Sequence, residues 1–363
     1  DKPSIYDETT RFFTSGTTNL PKAVPVNDIN EVLSAHDVIM HFPLSPKDVT
    51  MNLTPWFHRG GLHSGGPCPT LYIGGTMVIL RDFTPRLALQ YVSLYHITFL
   101  IGAPTVIDML CRIQETNPRD ISSLHGIVLM GSPLDKEPCK RYMKVLTPNI
   151  FNGYGTTETF WNVFLRPYDL PDKAGYAGGS CTDDDVRVVR VDTTKHVSPD
   201  ELVPMDKKTV GEVVIFAPNK STFAYYDNPK TTEEKFHNGW LYTGDLATWD
   251  EHAYITIIGR KDDMIVSAGE NIYPVQVESI LNEHPKVAES LVFGIPDPKR
   301  GSVIAALIRP SDPSLTEKEM KQFCMNHPML APYKRPRTFR FVKELPHNAT
   351  GKLLHKLPPD FKF

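Results

Sequence analysis

The residues best suited to chemistry begin near the start of the chain, in Thr14-Ser15-Gly16-Thr17-Thr18-Asn19-Leu20-Pro21-Lys22. Gly16 lets the backbone approach a ligand, the hydroxyls of Thr14, Ser15, Thr17 and Thr18 add donors, and Lys22 adds a positive charge. N–H and O–H groups around charged oxygens are what a polyphosphate needs. The stretch is not a Walker A loop, where Lys follows Gly and precedes Ser or Thr; here Lys22 lies between Pro21 and Ala23. A polar loop after a strand has the same composition. A second set is Asn152-Gly153-Tyr154-Gly155-Thr156-Thr157-Glu158-Thr159. A Tyr between glycines offers an open ring face to a purine, and a carboxylate beside threonines at a helix start suits magnesium next to phosphates. The alternative is a turn between strand and helix, with a buried Tyr and a capping Glu. Asp245, after Thr243-Gly244, could accept from sugar hydroxyls. His58, between aromatic and glycine residues, lines a pocket mouth or is a loop His with no role.

The elements that must position these residues alternate. Strands are expected at Arg11–Phe13, Val49–Leu53, Thr76–Leu80, Thr98–Ile101, Gly126–Met130 and Asn149–Phe151, with helices at Asn27–His41, Pro85–Tyr95 and Thr105 to about Gln114. Such alternation predicts an α/β fold with a largely parallel sheet and ligands at the strands' carboxyl ends, where Gly102, Gly131 and Gly153 fall. From about Tyr176 the pattern becomes β-rich, as at Val186–Val191 and Gly211–Ile215. Gly259 to Asp263 reads as a linker to a last α+β domain. There helices are expected at Val275–His284 and Glu317–Asn326, and strands at Ser290–Phe293, Val303–Ile308 and Arg340–Val342. The expected division is an α/β part over 1–175, a β-rich part over 176–259, a hinge at 260–263 and a small mobile α+β domain over 264–363.

Composition excludes several classes. The chain has 363 residues, 40% hydrophobic and 22% charged, as in a globular protein of two or three domains. A net charge of −3 leaves no electrostatic footprint for nucleic acid or an anionic membrane. Cys68, Cys111, Cys139, Cys181 and Cys324 form no CxxC pair, so neither a disulfide framework nor a zinc motif is expected, and a reducing cytoplasm is the default. The apolar run Leu71 to Leu80 is too short to span a bilayer. The chain opens with Asp1-Lys2-Pro3 rather than an initiator Met, and no signal peptide is expected from these residues.

Taken together, TSGTTNLPK, NGYGTTE, YTGDL, GRKDD, SAGENIYP and NATGK, in this order, resemble the adenylate-forming superfamily of acyl-CoA and aryl-CoA synthetases, luciferase and carrier-loading adenylation domains. Gly269-Glu270-Asn271-Ile272-Tyr273-Pro274 is similar to the glycine loop of the CoA ligases, where carrier-loading domains typically have an Arg-Ile-Glu version. Asp183–Val191 and Tyr333–Arg337 also look like those of aryl-CoA ligases.

The resemblance implies ATP, Mg2+ and coenzyme A as cofactors, a small carboxylic acid as substrate, and two half-reactions. The acid first attacks the α-phosphorus of ATP; CoA thiolate then displaces AMP. It further implies that Thr14 to Lys22 hold the β- and γ-phosphates, and that Tyr154 stacks on adenine with Gly131, Asn152 and Gly155 around it. Thr157 would bond the α-phosphate, Glu158 would hold Mg2+, and Asp245 with Arg260 would take the ribose. Lys352 would bridge carboxylate and phosphate oxygens, and Asp262 would be the hinge about which the last domain turns. Gly269, Tyr333, Arg335, Arg337 and His58 would meet CoA, His58 at the acyl end. The Lys334–Arg337 cluster could instead be a solvated patch. Two departures stand out: Asn19 and Ala23 where glycine is commonest, and the lack of a further domain-sized segment before Thr14. These residues are therefore expected to be most of a longer enzyme. Carrier-protein loading and nucleotide binding without catalysis are the competing readings. The aromatics Phe160-Trp161 would favour an aryl acid or cap a fatty-acid channel, and the oligomeric state is unreadable.

Overall fold

The computed structural model describes residues 2–14, 21–192, 195–347 and 353–355. Ser15, Gly16, Thr17, Thr18 and Lys352 therefore lie outside the described residues. Backbone contacts divide the chain into two units, the first being 1–243 with 247–257 and the second 244–246 with 258–363.

The first unit opens with a hairpin of β1 (Glu8–Thr14) and β2 (Lys22–Asn27), paired from Glu8↔Asn27 to Thr14↔Lys22. Arg11–Phe13 is thus a strand, but in its own two-stranded sheet. Asn27 starts α1 (Asp28–His41): its side chain accepts from the Asn30 N–H in a reciprocal capping box. There follow β3 (Val49–Asn52), α2 (Arg59–His63), α3 (Pro67–Tyr72), β4 (Thr76–Met77), α4 (Pro85–Tyr95), β5 (Phe99–Gly102), α5 (Pro104–Thr116), β6 (Gly126–Met130), α6 (Lys136–Val145), β7 (Ile150–Thr156) and β8 (Phe160–Leu165). Thr84, with Pro85 at the first helical position, caps α4 through the Leu87 N–H.

With β9 (Gly179–Ser180) these strands form a seven-stranded sheet in the order β4-β3-β5-β6-β7-β8-β9. The pairs from β4 to β7 are parallel; β8 and β9 run antiparallel. The largely parallel α/β sheet is as the alternation demands. Side chains divide between its faces with the strand period of two. Leu100, Ile127 and Leu129 pack with Leu89, Leu110 and Tyr142 of the helices on one face, while Ile101, Val128 and Phe151 pack with Val38 and Phe42 on the other. Both faces are covered, which is why β6 reads Gly-Ile-Val-Leu-Met without a polar residue.

Three expectations are corrected. Thr76–Leu80 is only a two-residue edge strand. Gly153 lies inside β7, whose end is Thr156. Thr157–Thr159 is not a helix start but the tight turn into β8, closed by the Thr159 N–H donating to Thr156 Oγ1.

Beyond, β10 (Asp185–Val189), β11 (Gly211–Phe216), α7 (Pro229–Lys235), β12 (Phe236–His237), β13 (Trp240–Trp249) and β14 (Ile255–Arg260) build the β-rich part, whose sheet runs β10-β11-β13-β12 with β14 also on β13. The second unit has the hairpin β15 (Ile265–Ser267) and β16 (Glu270–Ile272), then α8 (Pro274–Leu281), β17 (Val287–Asp297), β18 (Gly301–Pro310), α9 (Glu317–Asn326) and β19 (Thr338–Phe341). Its sheet β17-β18-β19 packs Val292, Ile304 and Ala306 against Val277 and Leu281 of α8 and Met320 of α9. Among the described residues no helix is long and apolar enough to cross a membrane.

Candidate active site

In the first unit Gly131 follows β6 and Asn152 lies within β7, while Thr14 and Lys22 belong to the separate β1–β2 hairpin. Thr14 and Lys22 face each other where β1 and β2 enter the phosphate-loop candidate. Lys22 lies 5.5 Å from the ring centre of Tyr225. Tyr225 in turn donates its hydroxyl to Glu158 Oε1 at 2.5 Å. Glu158, only 9% exposed, also accepts the Thr222 N–H at its carbonyl. Hence the Glu158 carboxylate is held in one orientation, as a metal ligand must be.

The neighbouring Thr157 is fixed through its backbone. Its carbonyl accepts from Arg59 Nη1 at 2.7 Å, while Nη2 of the same guanidinium donates to Ser34 Oγ and the Lys220 carbonyl. Arg59 is fully buried, and that burial pulls its pKa down to about 10, against the pull of Glu31 and Glu158. A planar fork with fixed donors suits three acceptors on separate segments. Sequence reasoning passed over Arg59 because its partners lie 25 to 161 positions away.

The glycines of the second motif serve the hairpin. A Cβ on Gly155 would lie 1.6 Å from the Phe160 carbonyl oxygen, and one on Gly153 would lie 2.9 Å from the Trp161 indole. The pairing register shifts between Tyr154 and Gly155, and Phe160 takes a left-handed φ of 61°. Strain at a non-glycine residue there persists only when its surroundings enforce it. The ring of Tyr154 packs at the edge of the β-rich core. Phe160 and Trp161, each 3% exposed, belong to the buried aromatic core with Phe42 and Phe164.

Asn152 is 3% exposed, and its Oδ1 is buried without a hydrogen-bond partner among the described residues. An orphaned acceptor costs about 1–3 kcal/mol until a donor arrives. On the adjacent strand, Gly131 follows β6 at φ 84° with open space where a side chain would be. His58 precedes α2 with its ring 4.4 Å from that of Phe57; burial lowers its pKa from 6.5.

The remaining candidates belong to the second unit. Arg260 Nη1 donates to Asp245 Oδ1 at 2.8 Å, so the two residues assigned to a ribose meet. Asp262 is exposed in the short turn Lys261–Asp263 after β14. Ala268 and Gly269, with φ 52° and 85°, close the β15–β16 hairpin as a two-residue turn. Tyr333 is exposed, the Arg335 side chain donates to the Leu330 carbonyl, and Arg337 is exposed. Lys352 itself is not described, but a bridge between His347 and Leu353 brackets the segment that carries it.

The AMP-binding enzyme family matches residues 5–226, and the AMP-binding enzyme C-terminal domain matches 276–352. The chain belongs to the AMP-binding enzyme family. Feruloyl-CoA synthase of Amycolatopsis sp is 32% identical over 94% of this chain and 67% of that protein. Long-chain-fatty-acid–CoA ligase of Escherichia coli O157:H7 is 30% identical over 98% of this chain and 62% of that protein. Among solved structures, O-succinylbenzoate Coenzyme A Synthetase (MenE) from Bacillus subtilis, in complex with ATP and magnesium ion, has a TM-score of 0.85. It is 29% identical, over 97% of this chain and 70% of that chain. The chain thus spans about two thirds of the length of the curated relatives it matches.

Proposed function

We propose that this chain carries the catalytic core of an AMP-forming acid–CoA ligase. A carboxylate oxygen attacks the α-phosphorus of ATP, a P–O bond forms, and pyrophosphate leaves. The thiolate of CoA then attacks the acyl carbonyl, a thioester forms, and AMP leaves. Negative charge spreads over phosphoryl oxygens in the first step, so positioning and electrostatics carry the rate.

The observation that carries the reading is the Thr157–Glu158 turn, fixed by Arg59 below and Tyr225 above. Thr157 would bond the α-phosphate and Glu158 would take Mg2+, which supplies charge neutralisation for the departing pyrophosphate. The orphaned Asn152 Oδ1 fits an adenine, whose exocyclic amino group is the missing donor, with Tyr154, Gly131 and Gly155 around the ring. Thr14, Ser15, Gly16, Thr17, Thr18 and Lys22 would hold the β- and γ-phosphates, Asp245 and Arg260 the ribose. Lys352 would bridge the reacting oxygens; a compact point charge suits a group that enters and leaves. Asp262 would be the pivot between half-reactions, and His58, Gly269, Tyr333, Arg335 and Arg337 would face CoA.

Separating the half-reactions tests these roles. In Lys352→Ala, acid-dependent exchange of pyrophosphate into ATP should fall about 100- to 1,000-fold, while thioester formation from supplied acyl-AMP should persist. Equal loss of both steps would remove Lys352 from its assigned role. The relatives act on an aryl and a long-chain acid, and the acid class is to be read from a substrate panel.

A further inference from the structure

The two flanks of Lys352 in the second unit are tied to each other. A backbone bridge joins His347 to Leu353, and the Leu354 N–H donates to the Pro346 carbonyl at 2.9 Å. Leu353 packs with Leu345 against Leu291 and Leu307, so the apolar side of this base rests on β17 and β18. Consecutive Cα atoms are about 3.8 Å apart, so what fixes Leu353 constrains the backbone that presents Lys352.

A histidine–carboxylate pair stands on each side of that base. On the later side, His355 Nε2 lies 2.9 Å and 3.1 Å from the two carboxylate oxygens of Glu278. A carboxylate only accepts, so Nε2 carries the proton. Glu278, on α8, is 6% exposed, and its Oε1 also accepts the Val292 N–H of β17 at 2.7 Å. A buried carboxylate is costly unless donors surround it, so Glu278 retains the histidine of the tail. The other ring nitrogen, Nδ1, faces Asp263 Oδ2 at 4.0 Å. On the earlier side, His347 Nε2 lies 2.8 Å from Glu289 Oε1 on β17, and its Nδ1 lies 2.9 Å from the Leu345 carbonyl. Glu289 is steadied in turn by Arg309 Nε at 3.4 Å.

We propose that the pairs Glu278–His355 and Glu289–His347 clasp the base of the segment carrying Lys352 and so position that lysine for adenylate formation. The inference rests on the role assigned to Lys352 above. His347 and His355 act through Lys352, as positioning residues, and not by contact with the reacting atoms. A misplacement of about 1 Å at a reacting group costs about 100-fold. The thioester step, which does not use Lys352, should be spared.

The test measures both half-reactions in the whole chain carrying His355→Ala. Acid-dependent pyrophosphate exchange should fall about 100-fold, while thioester formation from supplied acyl-AMP is unchanged. His355→Arg keeps two donors on the two Glu278 oxygens and should recover most of the exchange. Glu278→Gln keeps an acceptor for the Val292 N–H and should lower exchange in the same direction as His355→Ala. A loss that acts through Lys352 cannot add to its removal, so His355→Ala should have no further effect in a Lys352→Ala background. Amide hydrogen exchange reads the clasp without chemistry: the Leu354 N–H should lose protection in His355→Ala and keep it in Lys352→Ala. Equal loss of both steps, an additive loss in the Lys352→Ala background, or unchanged Leu354 protection in His355→Ala overturns the proposal. Lys352→Ala alone separates the clasp from the reading beneath it. If that variant keeps full exchange, both fall; if it loses exchange while His355→Ala keeps it, only the clasp falls.

Discussion

Arg59 shows how one side chain serves a site it does not enter. It spans the Thr157 carbonyl, Ser34 and the Lys220 carbonyl. Arg59→Ala leaves these acceptors buried and unpaired, at about 1–3 kcal/mol each. We expect denaturant midpoints to fall accordingly, and kcat/KM for ATP to fall in whatever fraction remains folded. Arg59→Lys keeps charge but not the fork, so it should restore stability only in part. An unchanged midpoint in Arg59→Ala would refute the role. His58 gives a pH signature. Burial lowers its pKa, so above 6.5 both folded and unfolded forms are neutral and the histidine costs nothing. As pH falls from 6.5 through the lower folded value, the unfolded chain binds the proton first and stability is lost. His58→Gln should flatten that part of a stability–pH curve; an unaltered curve would mean the ring is solvated. The types of Thr157, Glu158 and Asp245 were readable in the sequence because local motifs carry them. Arg59 and Tyr225 were not, because what makes them matter is a partner far along the chain.

Among elements, the β7–β8 hairpin is the most demanding. Its glycines were read as clearing the faces of a tyrosine, and the turn as a helix start. In the structure the two strands approach so closely that Gly155 has no room for a methyl group. Gly155→Ala should displace the turn that presents Thr157 and Glu158. The clash is with backbone, which cannot step aside, so the cost should exceed about 3 kcal/mol, the upper range of an ordinary substitution. Thermal melts decide it; a normal melting temperature with normal activity would show that the hairpin tolerates the change. Elements of strong period, such as α4 and β6, were readable because capping and burial act locally. The two-residue β4 was overestimated because Val78 to Leu80 are apolar without being strand.

At the scale of the molecule, Lys220 ties distant parts of the first unit together. Its ammonium, 3% exposed, meets Asp37 at 2.9 Å, Asp184 at 2.8 Å and the Trp161 carbonyl at 2.6 Å. Burial pushes Asp184 up to about 6 even so, against the pull of Lys220. Lys220→Met would strand two buried carboxylates, a loss of about 3–5 kcal/mol, measurable by chemical denaturation; a loss below 1 kcal/mol would mean water reaches the cluster. No pattern in the sequence announces this lysine, since charge in a core is a three-dimensional fact. The α/β architecture and the family were readable because six motifs recur in order along the whole chain. The most direct measurement is AMP release by the protein with ATP and Mg2+, across aryl and short- to long-chain acids, with and without CoA. We predict AMP and a CoA thioester in equal amounts, dependent on one class of acid and on CoA. Pyrophosphate exchange without CoA-dependent turnover, or tight ATP binding with no reaction toward any acid, would contradict the assignment.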